Sequence, residues 1–154
     1  MFEIRFLTNS DGKQRVSRFV LESLKDWFEE DETRENYIEK SAGEPCFAAY
    51  IDGAPVGFLC LKPTSEATVE IAVMGVLREY HRHGAGRKLF DAARDWAQAQ
   101  GYEFLQVKTV QMGFYEDYDR TNLFYKSLGF REFEVFPTLW DEENPCQIYV
   151  MALK

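Results

Sequence analysis

A short basic segment with two glycines contains the residue types best suited to a chemical role. It runs from Tyr80 to Leu89 (YHRHGAGRKL), between a strand-like run and a helical pattern. Glycines at a strand-to-helix junction let the backbone turn tightly and bring N–H groups, with the positive end of the helix dipole, close to a phosphate. Arg82, Arg87 and Lys88 add positive charge. The segment therefore predicts an anion site, and a pyrophosphate is its natural ligand.

Other readings of this segment are weaker. No GK[ST] follows the glycines, so it is not a P-loop, and a third glycine and a βαβ unit are missing for a dinucleotide fold. His81 and His83 are spaced like a metal pair, but Glu79 is the one carboxylate nearby and the surrounding charge is positive. We therefore predict no metal. A glycine turn with solvated basic residues remains the structural alternative.

Two further residues have side chains that suit acid–base chemistry. Tyr125 lies on a helical pattern four residues before the pair Gly129-Phe130. Glu70 lies on a strand pattern, where alternation places it opposite the most aliphatic face. The structural alternatives are a packed aromatic side chain and a solvated or ion-paired carboxylate.

Taken together, these segments resemble the GNAT acetyltransferases. The stretch from Val76 to Leu89 is similar to the coenzyme A motif of that family: Arg or Gln, two residues, Gly, any residue, then Gly or Ala. His81 stands at the first position, where it can still donate a hydrogen bond. The resemblance implies that the loop binds the cofactor and that the backbone of Val76 pairs with the pantetheine arm. The residues to which it assigns cofactor binding are Val76, His81, Arg82, His83, Gly84, Ala85, Gly86, Arg87, Lys88 and Asn122.

The resemblance also implies a reaction. Tyr125 occupies the position of the tyrosine that is commonly assigned as the general acid, and Glu70 has a spacing similar to that of the catalytic glutamate in the histone-acetylating branch. We expect an amine to attack acetyl-coenzyme A directly in a ternary complex, without an acyl-enzyme. The alternatives are a non-catalytic module that binds acyl-coenzyme A as a sensor, and an anion-binding domain unrelated to coenzyme A.

The elements that position these residues follow from periodicity and turn signals. Strands are predicted at 2–7, 47–51, 55–61, 68–76, 104–110, 131–136 and 147–153, and helices at 16–28, 33–40, from the basic loop to Gly101, and at 120–128. The order β-α-α-β-β-β-α-β-α-β-β predicts an α/β fold of the α+β type in one domain over residues 1–154. The resemblance implies a mixed, mainly antiparallel sheet of about seven strands with helices on both faces.

Composition limits the partners. Apolar residues make up 45% of the chain, which is typical of a globular protein, and the formal net charge of -8 argues against nucleic acid or an anionic membrane as partner. The start lacks a signal-peptide pattern and no apolar run approaches the ~20 residues of a membrane span, so we expect a cytoplasmic protein. Three cysteines without a CxxC pair predict reduced thiols.

The acceptor amine is indicated only by charge. Residues 22–44 contain nine acids and three bases, and the resemblance places the acceptor site beside this region and the last strand connection. With Trp27, Tyr37 and Trp140 nearby in sequence, a cationic small-molecule or peptide amine would suit it. Acidic helices that simply face water are the alternative. The proline-bounded stretch 136–146 is predicted to be a loop that could cover the site, and the sequence leaves open whether the chain forms a homodimer.

Overall fold

Seven strands and four helices make up the computed structural model, which describes residues 1–154. The strands are β1 (Glu3–Leu7), β2 (Cys46–Ile51), β3 (Ala54–Pro63), β4 (Thr68–Val76), β5 (Phe104–Val110), β6 (Arg131–Asp141) and β7 (Asn144–Ala152). The helices are α1 (Ser10–Ser23), α2 (Asp31–Ser41), α3 (Ala85–Ala99) and α4 (Glu116–Leu128), with a 3₁₀ turn at Arg78–Tyr80. The element order is the predicted one.

The strands form one sheet in the order β1-β2-β3-β4-β5-β7-β6. β4 and β5 pair in parallel, whereas β1 with β2, β2 with β3, β5 with β7 and β6 with β7 are antiparallel. This confirms the predicted fold class. The chain divides into two compact units, residues 1–62 with 72–96 and residues 63–71 with 97–154. None of the helices combines the length and apolar character that crossing a bilayer requires.

In the first unit, the hairpin turn has the backbone that its residue types favour, whereas the first helix differs from the predicted range. Asp52 and Gly53, between β2 and β3, both have positive φ, 49° and 81°, as a tight hairpin turn requires. The helix α1 begins at Ser10, because the Asn9 side chain accepts a hydrogen bond from the Gly12 N–H at 3.0 Å, and it ends at Ser23. The prediction of 16–28 was therefore displaced: the apolar pattern continues into a turn beyond the helix.

Two glycines of this unit are explained by close packing. A Cβ on Gly57 of β3 would lie 3.0 Å from the Gly75 carbonyl oxygen. A Cβ on Gly75 of β4 would lie 3.2 Å from a methyl group of Val20 and 3.3 Å from one of Leu24. The missing side chain of Gly75 therefore lets α1 pack against β4.

In the second unit, the parallel pair of β4 and β5 carries Glu70, and the helix α4 carries Asn122 and Tyr125. Thr68–Ile71 of β4 pair with Phe104–Val107 of β5. The helix α4 starts at Glu116, four residues before the predicted start, since its first turn is polar and shows no apolar periodicity. It ends at Gly129, whose φ of 107° is the left-handed conformation expected of a C-terminal glycine.

The stretch 136–146 is not the loop that the sequence predicted. β6 continues to Asp141 and β7 begins at Asn144, so the stretch is a hairpin whose turn is held by the Asp141 carboxylate, which accepts from the Glu143 N–H at 2.9 Å. The register shifts between Phe136 and Asp141. β6 is an edge strand, where a proline such as Pro137 is tolerated, and this is why a proline did not end the strand.

Candidate active site

The basic glycine loop lies in the first unit and leads directly into α3. Arg82 has φ 65° and Gly84 φ 91°, so the backbone turns twice through the left-handed region before the helix begins. The first helical bond runs from the Lys88 N–H to the Gly84 carbonyl oxygen at 3.1 Å. Helix geometry then leaves the N–H groups of the first residues of α3 without intrahelical acceptors. This is the arrangement that an anion site needs.

The outer surface of the loop is open. His81, Arg82, His83 and Gly84 are exposed, and a Cβ placed on Gly84 would meet no atom within 4 Å. Ala85 is buried and anchors the start of the helix, Gly86 is partly buried, and Arg87 and Lys88 are exposed. Positive side chains and helix N–H groups therefore border the same accessible stretch of chain.

His81 is tied to the end of β4. Its Nε2 lies 2.6 Å from the carbonyl oxygen of Val76. Because a carbonyl oxygen only accepts, Nε2 carries the proton in this contact. The structure thus joins two residues that the sequence assigns to cofactor binding, and it shows that His81 fixes the loop to the strand before it.

Glu70 lies in the second unit and is almost fully buried. Its Oε1 accepts a hydrogen bond from Gln106 Nε2 at 2.7 Å and lies 3.0 Å from Lys108 Nζ. Gln106 is the direct register partner of Glu70 across the parallel pair of β4 and β5. The carboxylate is therefore held by one neutral donor and one cation.

Asn122 is buried in α4 and its amide is engaged with protein groups. Nδ2 donates to the carbonyl oxygens of Val110 at 2.9 Å and Tyr118 at 2.6 Å, and Oδ1 accepts from the Tyr149 hydroxyl at 2.6 Å. Burial raises the pKa of Tyr149, Lys126 opposes that effect and Glu132 adds to it. Tyr149 is therefore a neutral hydrogen-bond donor at neutral pH.

Tyr125 lies three residues after Asn122 on the same helix and is 8% exposed. Its ring meets Phe130 edge-on at 5.8 Å between centroids and lies 6.2 Å from the ring of Tyr149. The left-handed turn at Gly129 brings Phe130 back against it, and the Phe130 N–H donates to the Tyr125 carbonyl oxygen at 3.2 Å. The Tyr-to-Gly-Phe spacing is thus a helix-end arrangement that fixes the position of the ring.

No group of three or more His, Cys, Asp or Glu side chains is arranged to hold a metal ion. The side chains of this site offer an anion-binding loop and two candidates for acid–base chemistry, Tyr125 and Glu70.

Comparison with known proteins decides the family. The model of the acetyltransferase (GNAT) family matches residues 14–130, which is more than half of the chain. The chain belongs to the GNAT family. The matched range includes every site residue predicted from the sequence, from Glu70 to Tyr125.

Solved structures of low sequence identity share the fold of this GNAT protein. One, from Desulfovibrio desulfuricans and assigned to the GNAT family, has a TM-score of 0.84 at 20% identity and covers 100% of both chains. The ribosomal-protein-S18-alanine N-acetyltransferase of Escherichia coli has a TM-score of 0.74 at 16% identity, covering 100% of this chain and 95% of its own. A Salmonella typhimurium protein assigned as an acetyltransferase, solved with its cofactor acetyl-CoA, has a TM-score of 0.71 at 18% identity and covers 99% and 94%. No curated protein matches the chain.

The acidic region of this GNAT protein is partly neutralised within the first unit. Arg18 contacts Glu22 and Glu35. Further ion pairs join Arg34 to Asp31 and Arg78 to Asp26. Several acids proposed to attract a cationic acceptor therefore already have cationic partners, which limits the attraction that the region exerts.

Sequence reasoning missed three residues that contact the predicted set: Gln106, Lys108 and Tyr149. A signal for the first two existed, since polar residues at alternate positions of an otherwise buried strand indicate a polar face. Their pairing with Glu70 was not visible, because it depends on the register of strands 36 residues apart. Tyr149 gave no local signal that distinguishes it from an ordinary core residue.

Proposed function

We propose that this GNAT protein transfers the acetyl group of acetyl-coenzyme A to an amine by direct attack in a ternary complex. The observation that carries the proposal is the loop from His81 to Lys88, with its two left-handed residues, its open outer surface and its position at the start of α3. Membership of an acetyltransferase family and a structural neighbour solved with acetyl-CoA support the same conclusion.

The residues of the loop fit the phosphates of coenzyme A. Helix N–H groups at Ala85 and Gly86 suit phosphate oxygens, and Arg82, Arg87 and Lys88 supply cationic charge. The Val76 backbone is assigned to the pantetheine arm, and His81 holds its carbonyl group in place. Asn122 has a less direct role in cofactor binding, since its side-chain N–H groups already donate to the carbonyl oxygens of Val110 and Tyr118.

Tyr125 is assigned as the group that stabilises the departing thiolate. Proton transfer from an ordinary phenol to an ordinary thiolate is uphill by about 2 kcal/mol, so a hydrogen bond to the developing charge precedes or replaces complete transfer. The rigid seat of the ring against Phe130 supports this role, because such a bond needs a fixed donor.

Glu70 is assigned as the base, acting through water. Direct transfer from an ordinary alkylammonium to an ordinary carboxylate is uphill by about 8 kcal/mol. This cost favours a water relay, or an acceptor that arrives as the neutral amine, over direct abstraction from the ammonium.

The acceptor is proposed to be a small molecule or the amine of a peptide. The Escherichia coli neighbour is named as acting on a protein alanine, which makes peptide amines a sensible part of a first panel. A cationic acceptor is supported by the acids of the same region whose carboxylates take part in no ion pair, such as Glu30 and Glu32.

The test is titration calorimetry with acetyl-coenzyme A beside a thiol-release assay over small-molecule and peptide amines. Binding with thiol release supports a transferase, and binding without release from any amine supports the sensor instead. Tyr125→Phe is expected to lower turnover more than cofactor affinity, whereas the control Tyr50→Phe changes neither. Equal loss of turnover and affinity in Tyr125→Phe would assign that residue to packing.

A further inference from the structure

We propose that Arg34 is a positioning residue for the acceptor amine, because it fixes the stretch of chain between α1 and α2 beside the cofactor site. This stretch, residues 24–30, is called the α1–α2 segment. The inference rests on the proposed transfer of an acetyl group to an amine. It gives a role to an arginine that belongs to neither of the two sequence motifs.

Arg34 is a buried arginine whose guanidinium binds the backbone of the α1–α2 segment. It lies on α2 and is 6% exposed. Its Nη1 donates to the carbonyl oxygens of Phe28 at 2.6 Å and Glu29 at 3.1 Å, and its Nη2 pairs with the Asp31 carboxylate. Burying a cation is costly unless partners of this kind satisfy it. The buried guanidinium therefore holds the end of the segment against α2.

The rest of the segment is a compact turn. The N–H groups of Trp27 and Phe28 both donate to the Leu24 carbonyl oxygen at 2.9 Å. The Phe28 ring meets Tyr37 of α2 edge-on, at 6.1 Å between centroids. Tyr37 follows Arg34 by three residues, so the two side chains lie on the same face of α2. One face of α2 thus binds both the backbone and a side chain of the segment.

The α1–α2 segment adjoins the strand end that is assigned to the cofactor. A Cβ on Gly75 would lie 3.3 Å from a methyl carbon of Leu24, so the segment begins beside the residue that precedes Val76. The Asp26 carboxylate pairs with Arg78, in the turn that leads into the glycine loop. This exposed pair adds little stability. It nevertheless shows that the segment runs beside the cofactor loop, which makes it one wall of the acceptor site.

The residue types of the segment suit a cationic acceptor. Trp27 and Phe28 are half-buried, and the exposed carboxylate of Glu30 takes part in no ion pair. Aromatic faces and carboxylates both attract ammonium groups. A ligand that binds a mobile segment has to order it first, and that ordering weakens the affinity. Loosening the segment should therefore weaken the binding of the amine.

The expected consequence of removing the guanidinium is a selective effect on the amine. We expect Arg34→Met to raise KM for the amine about tenfold, the equivalent of roughly one hydrogen bond from a charged donor. The value of kcat should stay within about twofold of wild type, since the amine and the transition state lose the same contacts. Acetyl-coenzyme A should bind with an affinity within about twofold of wild type by calorimetry, because Arg34 does not contact the glycine loop.

Two further variants separate the forked donors from the charge. Arg34→Lys keeps the cation but has no planar fork to reach two carbonyl oxygens, so its KM should lie between those of wild type and Arg34→Met. Arg18→Met is the matched control. Arg18 lies in the same acidic region but pairs only with the side chains of Glu22 and Glu35. Its KM should stay within about twofold of wild type.

The amines used are putrescine, a small dication, and a peptide with a free N-terminal alanine, and KM is measured for the one that releases more thiol. If Arg34→Met does not fold, Arg34→Gln takes its place, since its neutral amide can reach one of the two carbonyl oxygens. An unchanged KM in the folded variant overturns the proposal. So does an equal loss of affinity for acetyl-coenzyme A, which would show a general loss of structure.

Hydrogen exchange followed by mass spectrometry gives a readout that needs no turnover. Without cofactor or amine, the backbone amides of residues 26–30 should exchange faster in Arg34→Met than in wild type, and at the wild-type rate in Arg18→Met. The proposal holds if exchange and KM both rise. It is overturned if exchange is unchanged, or if exchange rises while KM does not.

Failure of the proposed function is read separately. If wild type releases no thiol with any amine of the panel, the transferase assignment fails, and the role of Arg34 towards the acceptor fails with it. If wild type turns over and Arg34→Met has the wild-type KM, acetyl transfer stands and only the positioning role is lost.

Discussion

The hydroxyl of Tyr149 donates a 2.6 Å hydrogen bond to Oδ1 of Asn122, and both side chains are 0% exposed. The bond joins the middle of β7 to α4, and the amide of the same asparagine bonds the carbonyl oxygen of Val110 at the end of β5. A buried polar group without a hydrogen-bond partner costs free energy, so these two hydrogen bonds hold β5, β7 and α4 together. Because Tyr125 follows Asn122 by about one turn of α4, these hydrogen bonds also help to fix the position of the Tyr125 ring.

Tyr149→Phe is expected to lower the free energy of unfolding by about 1–3 kcal/mol, because Asn122 Oδ1 loses its buried donor. Asn122→Leu should cost at least as much, since it also strands the hydroxyl of Tyr149. Urea unfolding of both single variants and the double variant measures the coupling. The double variant should lose less than the sum of the two. Strict additivity would show that the bond does not link the elements.

His81→Leu should weaken acetyl-coenzyme A binding about fivefold, the equivalent of about 1 kcal/mol for one lost hydrogen bond. The reason is that the Val76 carbonyl is no longer held by the 2.6 Å contact with Nε2. His81→Gln is the matched variant, since it retains a donor and is one of the residues usual at this motif position. Calorimetry should give His81→Gln an affinity within about twofold of wild type. Equal weakening in both variants would mean that the imidazole itself, and not the contact, matters.

The elements that could be predicted are those whose signals are local in the sequence. Asp52-Gly53, β4 and β5 were predictable because their signals lie within a few neighbouring residues. The start of α1 was missed because a cap at Asn9, rather than the apolar stripe, decides it. The end of α1 was missed because apolar residues beyond Ser23 continue the stripe into a turn.

The candidate site divides in the same way. The glycine loop and the Tyr-to-Gly-Phe segment are local motifs and were found. The partners of Glu70 come from another strand, and the donor to Asn122 lies 27 residues away, so both depend on strand register and helix packing. A single sequence does not contain that register in a readable form.

Gly57→Ala should destabilise the protein by about 1–3 kcal/mol, the usual cost of overpacking. A Cβ there would lie 3.0 Å from the Gly75 carbonyl oxygen, 3.1 Å from Val76 Cγ2 and 3.3 Å from Leu89 Cδ1. Backbone cannot move aside as a flexible side chain can, so β4 must shift near Val76. Thermal unfolding measures the loss, and calorimetry should show weaker binding of acetyl-coenzyme A as well.

Gly43→Ala is the control for this substitution. No atom lies within 4 Å of the added Cβ, and Gly43 does not have a positive φ. Its stability should stay within about 0.5 kcal/mol of wild type. Similar losses in the two variants would point to a general effect of replacing glycine instead of the clash with Gly75.

The stability of the protein should fall as the solution becomes alkaline, and Cys60 should contribute to the fall. Burial is the main cause that raises the pKa of this thiol well above its usual value, and its contact with Cys46 acts in the same direction. A group whose pKa is higher in the folded state contributes stability below the unfolded value and loses it as pH rises towards the folded one. Because a thiol in the unfolded chain has a pKa of about 8.5, the loss of stability begins above about pH 8.5.

Cys60→Ala tests this contribution. Urea unfolding between about pH 7 and 10.5 should show a smaller stability at neutral pH, from the lost sulfur, but a shallower decline above about pH 8.5, because one thiol no longer has to ionise on unfolding. Val56→Ala, in the same strand and equally buried, should lower stability without changing the slope. A slope for Cys60→Ala identical to that of wild type would show that the thiol titrates alike in the folded and unfolded chains, and that burial on β3 does not protect its proton.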